Sequence, residues 1–281
     1  MRLGGCLAGN YKNLDDWLRT VKDIGYKAVV FPLPPGSDRS EVNEYVAAMR
    51  ENDILNAEVG AWSNLLSHDP LEREAAVRKN ISALELAEET GARCCVNIAG
   101  SMSDAWDGPS RNNLTRETFD MIVRNTKMII DAVKPEKTKY TLETMPWIFP
   151  DSPEGYLRLY EAIDRKEFGV HLDICNMINS PKRFFWITEY INHSFGLLGN
   201  MTRSIHLKDI RLSQKMTVHI EEVQPGEGEM DFARLFTHAA KLERDVTLII
   251  EHLQSNEDYA KAYAFFRKVI AGAGLEACLV T

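Results

Sequence analysis

Four residues able to bind a metal or move a proton interrupt four apolar runs in the C-terminal half of the chain. They are Glu143 in KYTLETM (139–145), Asp173 in GVHLDIC (169–175), His206 in RSIHLKD (203–209) and Glu251 in VTLIIEHL (246–253). Each stands where the pattern would take another apolar residue. Singly, such an Asp or Glu is most often a helix cap or ion-pair partner, and such a His a satisfied structural residue. Together they are a set: three carboxylates in a partly dry place cannot all stay ionised unless a cation neutralises them. Oxygen donors with one imidazole suit a divalent ion such as Mn²⁺, Mg²⁺, Co²⁺ or Zn²⁺, with positions left open for substrate oxygens.

The elements that carry these residues alternate along the chain. Short runs rich in Val, Ile, Leu or Cys, bounded by Gly, Pro, Asn or Asp, predict strands at 2–8, 26–33, 54–61, 92–99, 139–145, 168–175, 203–209 and 245–252. Helix-period segments fall between and after them, at 13–25, 41–52, 71–90, 115–133, 153–163, 182–195, 231–242 and 256–271. Eight strands alternating with eight helices, the strands apolar on both faces, predict a single (β/α)8 TIM barrel over residues 1–281. An open doubly wound sheet competes, but GGCLAGNYKN (4–13) only weakly approximates its phosphate turn. In a parallel barrel all strands end on one rim, so the four residues share a quadrant. The polar stretch GSMSDAWDGPSRNN (100–113) belongs on that rim as a loop partly covering the mouth.

Bulk properties narrow the class. The 281 residues are 44% hydrophobic and 26% charged, with a formal net charge of −8. An acidic chain opposes non-specific nucleic-acid binding and points to a soluble cytoplasmic protein. No apolar run reaches membrane-spanning length and the N-terminus has no signal-peptide core. Five cysteines without a C-x-x-C pair read as buried reduced thiols.

The Glu of TLETMP, the Asp of HLDICN, IHLKD, the Glu of LIIEH and the turn PGEGEMDF (225–232) together resemble the xylose-isomerase-like TIM barrels. That superfamily includes sugar isomerases, ketose 3-epimerases, inosose dehydratases and endonuclease IV. The resemblance implies one divalent metal on Glu143, Asp173, His206 and Glu251, with Glu143 and Glu251 also serving as opposed acid/base groups. Epimerases of this group carry a His three residues after the strand-six Asp, where this chain has Asn176. Asn can hydrogen-bond a hydroxyl but cannot titrate near neutrality.

Other candidates surround this set. Lys208 can present a cation to a substrate oxygen or pair with Asp209, and Arg211 can play the first part too. Trp62, Trp106 and Trp147 follow strand ends, where an indole stacks on a sugar ring or simply packs. Glu58 and Asn97 can line the mouth, His171 shares the face of Asp173, and His219 and Glu227 read as structural. KRFFWITEY (182–190) has aromatics at helical spacing, suited to barrel packing or a subunit contact. The expected substrate is a small sugar or keto-sugar, handled by a metal-dependent isomerase or epimerase. A metal-dependent lyase on an inosose or 3-keto-glycoside is the alternative. An endonuclease IV-like reading lacks its further histidines in FPLPPG (31–36) and AEVGAWS (57–63), and a non-catalytic sugar-binding barrel leaves the ligand set unexplained.

Overall fold

A computed structural model describes residues 1–281. Its strands, in chain order, are β1 Arg2–Gly5, β2 Ala28–Val30, β3 Leu55–Gly60, β4 Cys94–Asn97, β5 Lys139–Glu143, β6 Phe168–Leu172, β7 Thr202–Leu207, β8 Asp209–Leu212, β9 Ile220–Val223 and β10 Thr247–Ile250. The helices are α1 Leu14–Ile24, α2 Arg39–Glu51, α3 Pro70–Thr90, α4 Arg116–Val133, α5 Pro153–Ile163, α6 Ile174–Met177, α7 Pro181–Phe185, α8 Ile187–Leu198, α9 Phe232–Ala239 and α10 Asn256–Gly272.

Eight strands close a parallel barrel in the order β1-β10-β7-β6-β5-β4-β3-β2, while β8 and β9 form a separate antiparallel hairpin. The helices start and stop where the side chains require. Asn13, Asp69, Ser152 and Ser255 each accept a backbone N–H in the first turn of α1, α3, α5 and α10, and Gly25 ends α1 in the left-handed region. Such caps fix where each helix begins and so how long each βα loop is.

The observed strands are shorter than the apolar runs, because ladder pairing stops while the chain is still buried. The run 182–195 divides at Trp186 into α7 and α8, with Phe184 buried and Phe185 and Trp186 exposed. The β8–β9 hairpin has no counterpart among the sequence-based elements. It sits between Lys208 and the glycine turn, and Asp209 organises both. The Asp209 carboxylate accepts the backbone N–H of Gly226 (2.9 Å) and Gly228 (3.0 Å) on one oxygen and of Met230 (3.1 Å) on the other. A Cβ at Gly228 would fall 2.2 Å from Asp209 Oδ1, so the turn can wrap this carboxylate only with glycine there.

Candidate active site

β5 ends on Glu143, β10 stops one residue before Glu251, Asp173 follows β6 and His206 lies within β7. These strands are neighbours on one side of the barrel, and all four side chains are buried. His206 Nδ1 is 2.7 Å from Glu251 Oε1, 3.2 Å from Glu143 Oε1 and 3.8 Å from Asp173 Oδ2. One donor atom from each of the four lies within 4.8 Å of the others.

Asp173 divides its carboxylate between two tasks. Oδ1 caps α6 by accepting the N–H of Asn176 (3.0 Å), and Oδ2 turns into the cluster. The sequence-level choice between helix cap and site residue is therefore no choice, since each oxygen takes one part. Glu251 Oε1 and Asp173 Oδ2 are buried and make no hydrogen bond. Lys208 Nζ approaches them at 2.5 and 2.8 Å, but off the hydrogen-bonding directions. One ammonium faces three carboxylates, and the two negative charges left over match a divalent cation. Asp209 is engaged by the glycine turn and leaves Lys208 to the cluster.

Behind the cluster, Glu58 on β3 is fully buried and binds two imidazoles. His171 Nε2 lies 3.0 Å from Glu58 Oε1 and His206 Nε2 lies 3.2 Å from Glu58 Oε2, while the Ser204 hydroxyl also donates to Oε1. An ionised carboxylate only accepts, so both rings present Nε2–H to it. The Nδ1 of His206 is thereby left facing the three carboxylates of the mouth. Orphaned carboxylate oxygens, a tautomer set from behind and hard donors of the right charge fit a divalent ion.

The electrostatics follow from burial and crowding. Burial, with Glu143 and Glu251 nearby, pushes the Asp173 carboxyl up to about 6 against the pull of Lys208. Burial alone would lower the proton affinity of His206, but Glu251, Glu58 and Glu143 raise it well above the usual range. Burial likewise opposes charge on Lys208, and Asp173, Glu251 and Glu143 more than restore it. For Glu58, burial favours the neutral acid, yet His171 and His206 hold it below the ordinary carboxylate range.

A cavity of about 420 Å³ opens over these groups. Glu143, His206, Glu251, Lys208, Asn176 and Glu58 line it together with Trp62, Trp106 and Trp147, while Asp173 is not part of the lining and meets it through the Lys208 ammonium, 2.8 Å from Oδ2. Asn176 donates from Nδ2 to Glu143 Oε1 and to the Thr144 carbonyl, both at 3.0 Å. Trp106 and Asp107 reach the same cavity, so the 100–113 loop sits on the rim with Glu251.

Arg211 does not come to the mouth. The chain leaves the rim after Lys208 as the β8–β9 hairpin, where Arg211 is paired across the ladder with Glu221 and its side chain is half exposed. His219 and Glu227 are exposed and outside the cavity, and Asn97 instead clamps the Ser63 backbone through two hydrogen bonds of 3.0 and 3.1 Å. Reading the sequence missed His252. It lines the cavity at φ 62°, in the left-handed region, with Nδ1 3.1 Å from Glu222 on β9. Only its place next to Glu251 could have drawn notice.

A closed parallel barrel with metal-capable residues on one rim defines a (β/α)8 protein with a candidate site at the strand ends. Residues 18–269 match the family of xylose isomerase-like TIM barrels, and the chain belongs to that family. No curated protein matches it significantly in sequence. Among solved structures it is similar to a D-psicose 3-epimerase from Clostridium cellulolyticum H10, solved with D-tagatose, at 15% identity and TM-score 0.71 over 96% of this chain and 99% of that one. It is similar also to a probable 3-DHS dehydratase of petrobactin synthesis from Bacillus anthracis, at 13% identity and TM-score 0.73 over 97% and 99%. A third is a xylose isomerase-like TIM barrel protein from Mycobacterium smegmatis in complex with magnesium, at 13% identity and TM-score 0.68 over 97% of each chain. Identities this low show a shared fold. No helix is long and apolar enough to cross a membrane.

Proposed function

We propose that the chain is one catalytic domain, a divalent-metal-dependent sugar isomerase or epimerase. The carrying observation is the convergence of Glu143, Asp173, His206 Nδ1 and Glu251 within 4.8 Å, with Glu58 fixing the His206 tautomer. These four would hold the ion, with Mn²⁺, Mg²⁺, Co²⁺ and Zn²⁺ all compatible with the donor set. When bound, the ion supplies positive charge against the oxyanion that develops as the carbon beside a carbonyl loses its proton.

The remaining chemistry belongs to the side chains. Glu143 and Glu251 enter from β5 and the end of β10, with β6 and β7 between them. One takes the proton from the carbon next to the carbonyl and the other returns a proton to the opposite face, which inverts that centre. Asn176 and Lys208 bind substrate hydroxyls, and the indoles of Trp62 and Trp106 shield the reacting carbons from water. The buried free thiols Cys94, Cys95 and Cys175 support a reducing, cytoplasmic setting.

A lyase or dehydratase on a keto-sugar is favoured by one feature, the Lys208 ammonium within 3.5 Å of three carboxylates, where it can steady a departing oxygen. Proton NMR in D₂O with Mn²⁺ and a panel of ketoses and keto-glycosides separates the two. Exchange at one carbon with inversion and no loss of mass supports the isomerase reading. Loss of water or of an aglycone supports the lyase. No metal-dependent change in any substrate would sink both.

A further inference from the structure

The cavity has a polar floor and an aromatic mouth, and the reaction proposed above uses the indoles of that mouth only to keep water out. Carboxylates, His206, Lys208 and Asn176 make the floor, which suits the carbonyl and hydroxyls of one sugar. At the mouth stand Trp62, Trp106 and Trp147, which remain 36%, 41% and 39% exposed despite their size.

Two of these rings are set in place by contacts of their own. A Cβ on Gly60 would fall 2.3 Å from Trp62 Nε1, so the indole lies against the end of β3 only because that residue is glycine. Lys79 Nζ holds the Trp62 carbonyl at 2.8 Å, and the Asn97 clamp fixes the next residue, Ser63. Trp147 donates Nε1–H to the Asp107 carbonyl at 2.8 Å, which ties the loop after β5 to the loop bearing Trp106. With that donor engaged, Trp147 has only its ring surface to give a ligand. Other rings of the molecule pair with each other in the core, as Trp17 does with Tyr45 and Phe232 with Phe266. The three mouth indoles have no such partner. Aromatic surface held ready over a polar floor binds a second ring at little entropic cost. A cavity near 420 Å³ is also in the range of clefts that enclose ligands larger than one sugar, about 300–1,000 Å³.

We propose that the substrate is a glycoside whose reacting ring carries a ketone: that ring meets Glu143 and Glu251, and a second, glycosidically linked ring lies on Trp62, Trp106 and Trp147. This rests on the proposed function but is tested without turnover. The five indole N–H signals of ¹⁵N-labelled protein loaded with diamagnetic Mg²⁺ are followed by NMR during titration with unreactive analogues, the methyl and phenyl β-glycosides of glucose and galactose, and with cellobiose and lactose. Shifts are expected for Trp62, Trp106 and Trp147, with Trp17, buried in the core, and Trp186, exposed on the outer surface, as still references. A two-ring ligand should bind about tenfold more tightly than the methyl glycoside of the same sugar. The phenyl and disaccharide arms distinguish an aryl aglycone from a second sugar. Trp106→Ala, which removes no hydrogen bond, and Gly60→Ala, which displaces Trp62, should each erase most of that preference while leaving Mn²⁺ affinity unchanged. Equal affinity for one-ring and two-ring ligands, shifts outside the three indoles, no binding of any glycoside, or a preference surviving in both variants would overturn the proposal. Indole shifts and ring preference without turnover would still support it, while counting against the isomerase reading.

Discussion

Glu58 gives both carboxylate oxygens to imidazoles, and this decides what His206 can offer on its other side. In Glu58→Gln an amide N–H₂ can face His206 Nε2 and drive the ring proton to Nδ1, where a metal needs a lone pair. Mn²⁺ affinity by calorimetry should fall about 10–100-fold while the circular dichroism spectrum stays native. Unchanged affinity would show that Glu58 serves packing alone. Asp173→Ala and His206→Ala should also act mainly on metal binding. Glu143→Gln and Glu251→Gln keep an oxygen donor but lose the base, so kcat should drop by about 10²-fold or more with little change in KM. With no ion bound, Asp173 keeps its proton up to about 6 and His206 keeps its own above the usual imidazole range. A divalent ion held by these residues would have to expel both protons, so its apparent affinity should rise with pH through and above 6 and weaken in acid, as titrations at several pH values would show.

Among the elements, two carboxylates hold loops in place by accepting runs of backbone N–H groups. Asp209 binds the glycine turn that precedes α9, and Asp209→Ala would strand at least three donors. Urea denaturation should show a loss of about 2 kcal/mol or more. Turnover should fall too, because Lys208 is its neighbour in the chain. Glu88 near the end of α3 accepts from the backbone of Glu136, Lys137 and Thr138, at 3.1, 2.9 and 3.1 Å, and so anchors the approach to β5. Partial burial favours its neutral form, but those three N–H groups hold the carboxyl below its ordinary value. A depressed folded value means stability that is present at neutral pH and lost as pH falls through that value. Glu88→Gln should cost about 1 kcal/mol at pH 7, solvent screening included, and that difference should shrink in acid.

For the whole molecule, a divalent ion that joins side chains from β5, β7, the end of β6 and the end of β10 must stabilise the closed barrel. Mn²⁺ at about 100 times its Kd should add about 2.7 kcal/mol, seen as a rise in Tm that EDTA reverses; an unmoved Tm would mean that the cluster holds no ion. Much of this architecture is legible in the chain itself. Strands packed under helices on the outside and against one another inside the barrel are largely apolar on both faces, so Glu143, Asp173, His206 and Glu251 stand out in the sequence, and a parallel barrel puts every strand end on one rim. The caps at Asn13, Asp69, Ser152 and Ser255 are local and equally readable. What the sequence could not reveal depends on closure and register. Glu58 meets His171 and His206 across 113 and 148 residues, and only the rolled sheet turns those side chains inward to one another. Arg211 reads like a site residue until the chain leaves the rim as a hairpin and gives it Glu221 as a neighbour. His252 enters the cavity because one backbone torsion is left-handed, a choice no periodicity records. Residue types and spacing thus determined which groups reach the rim. The tertiary structure decided which of them touch, because contact depends on how strands far apart in sequence are rotated and registered against each other.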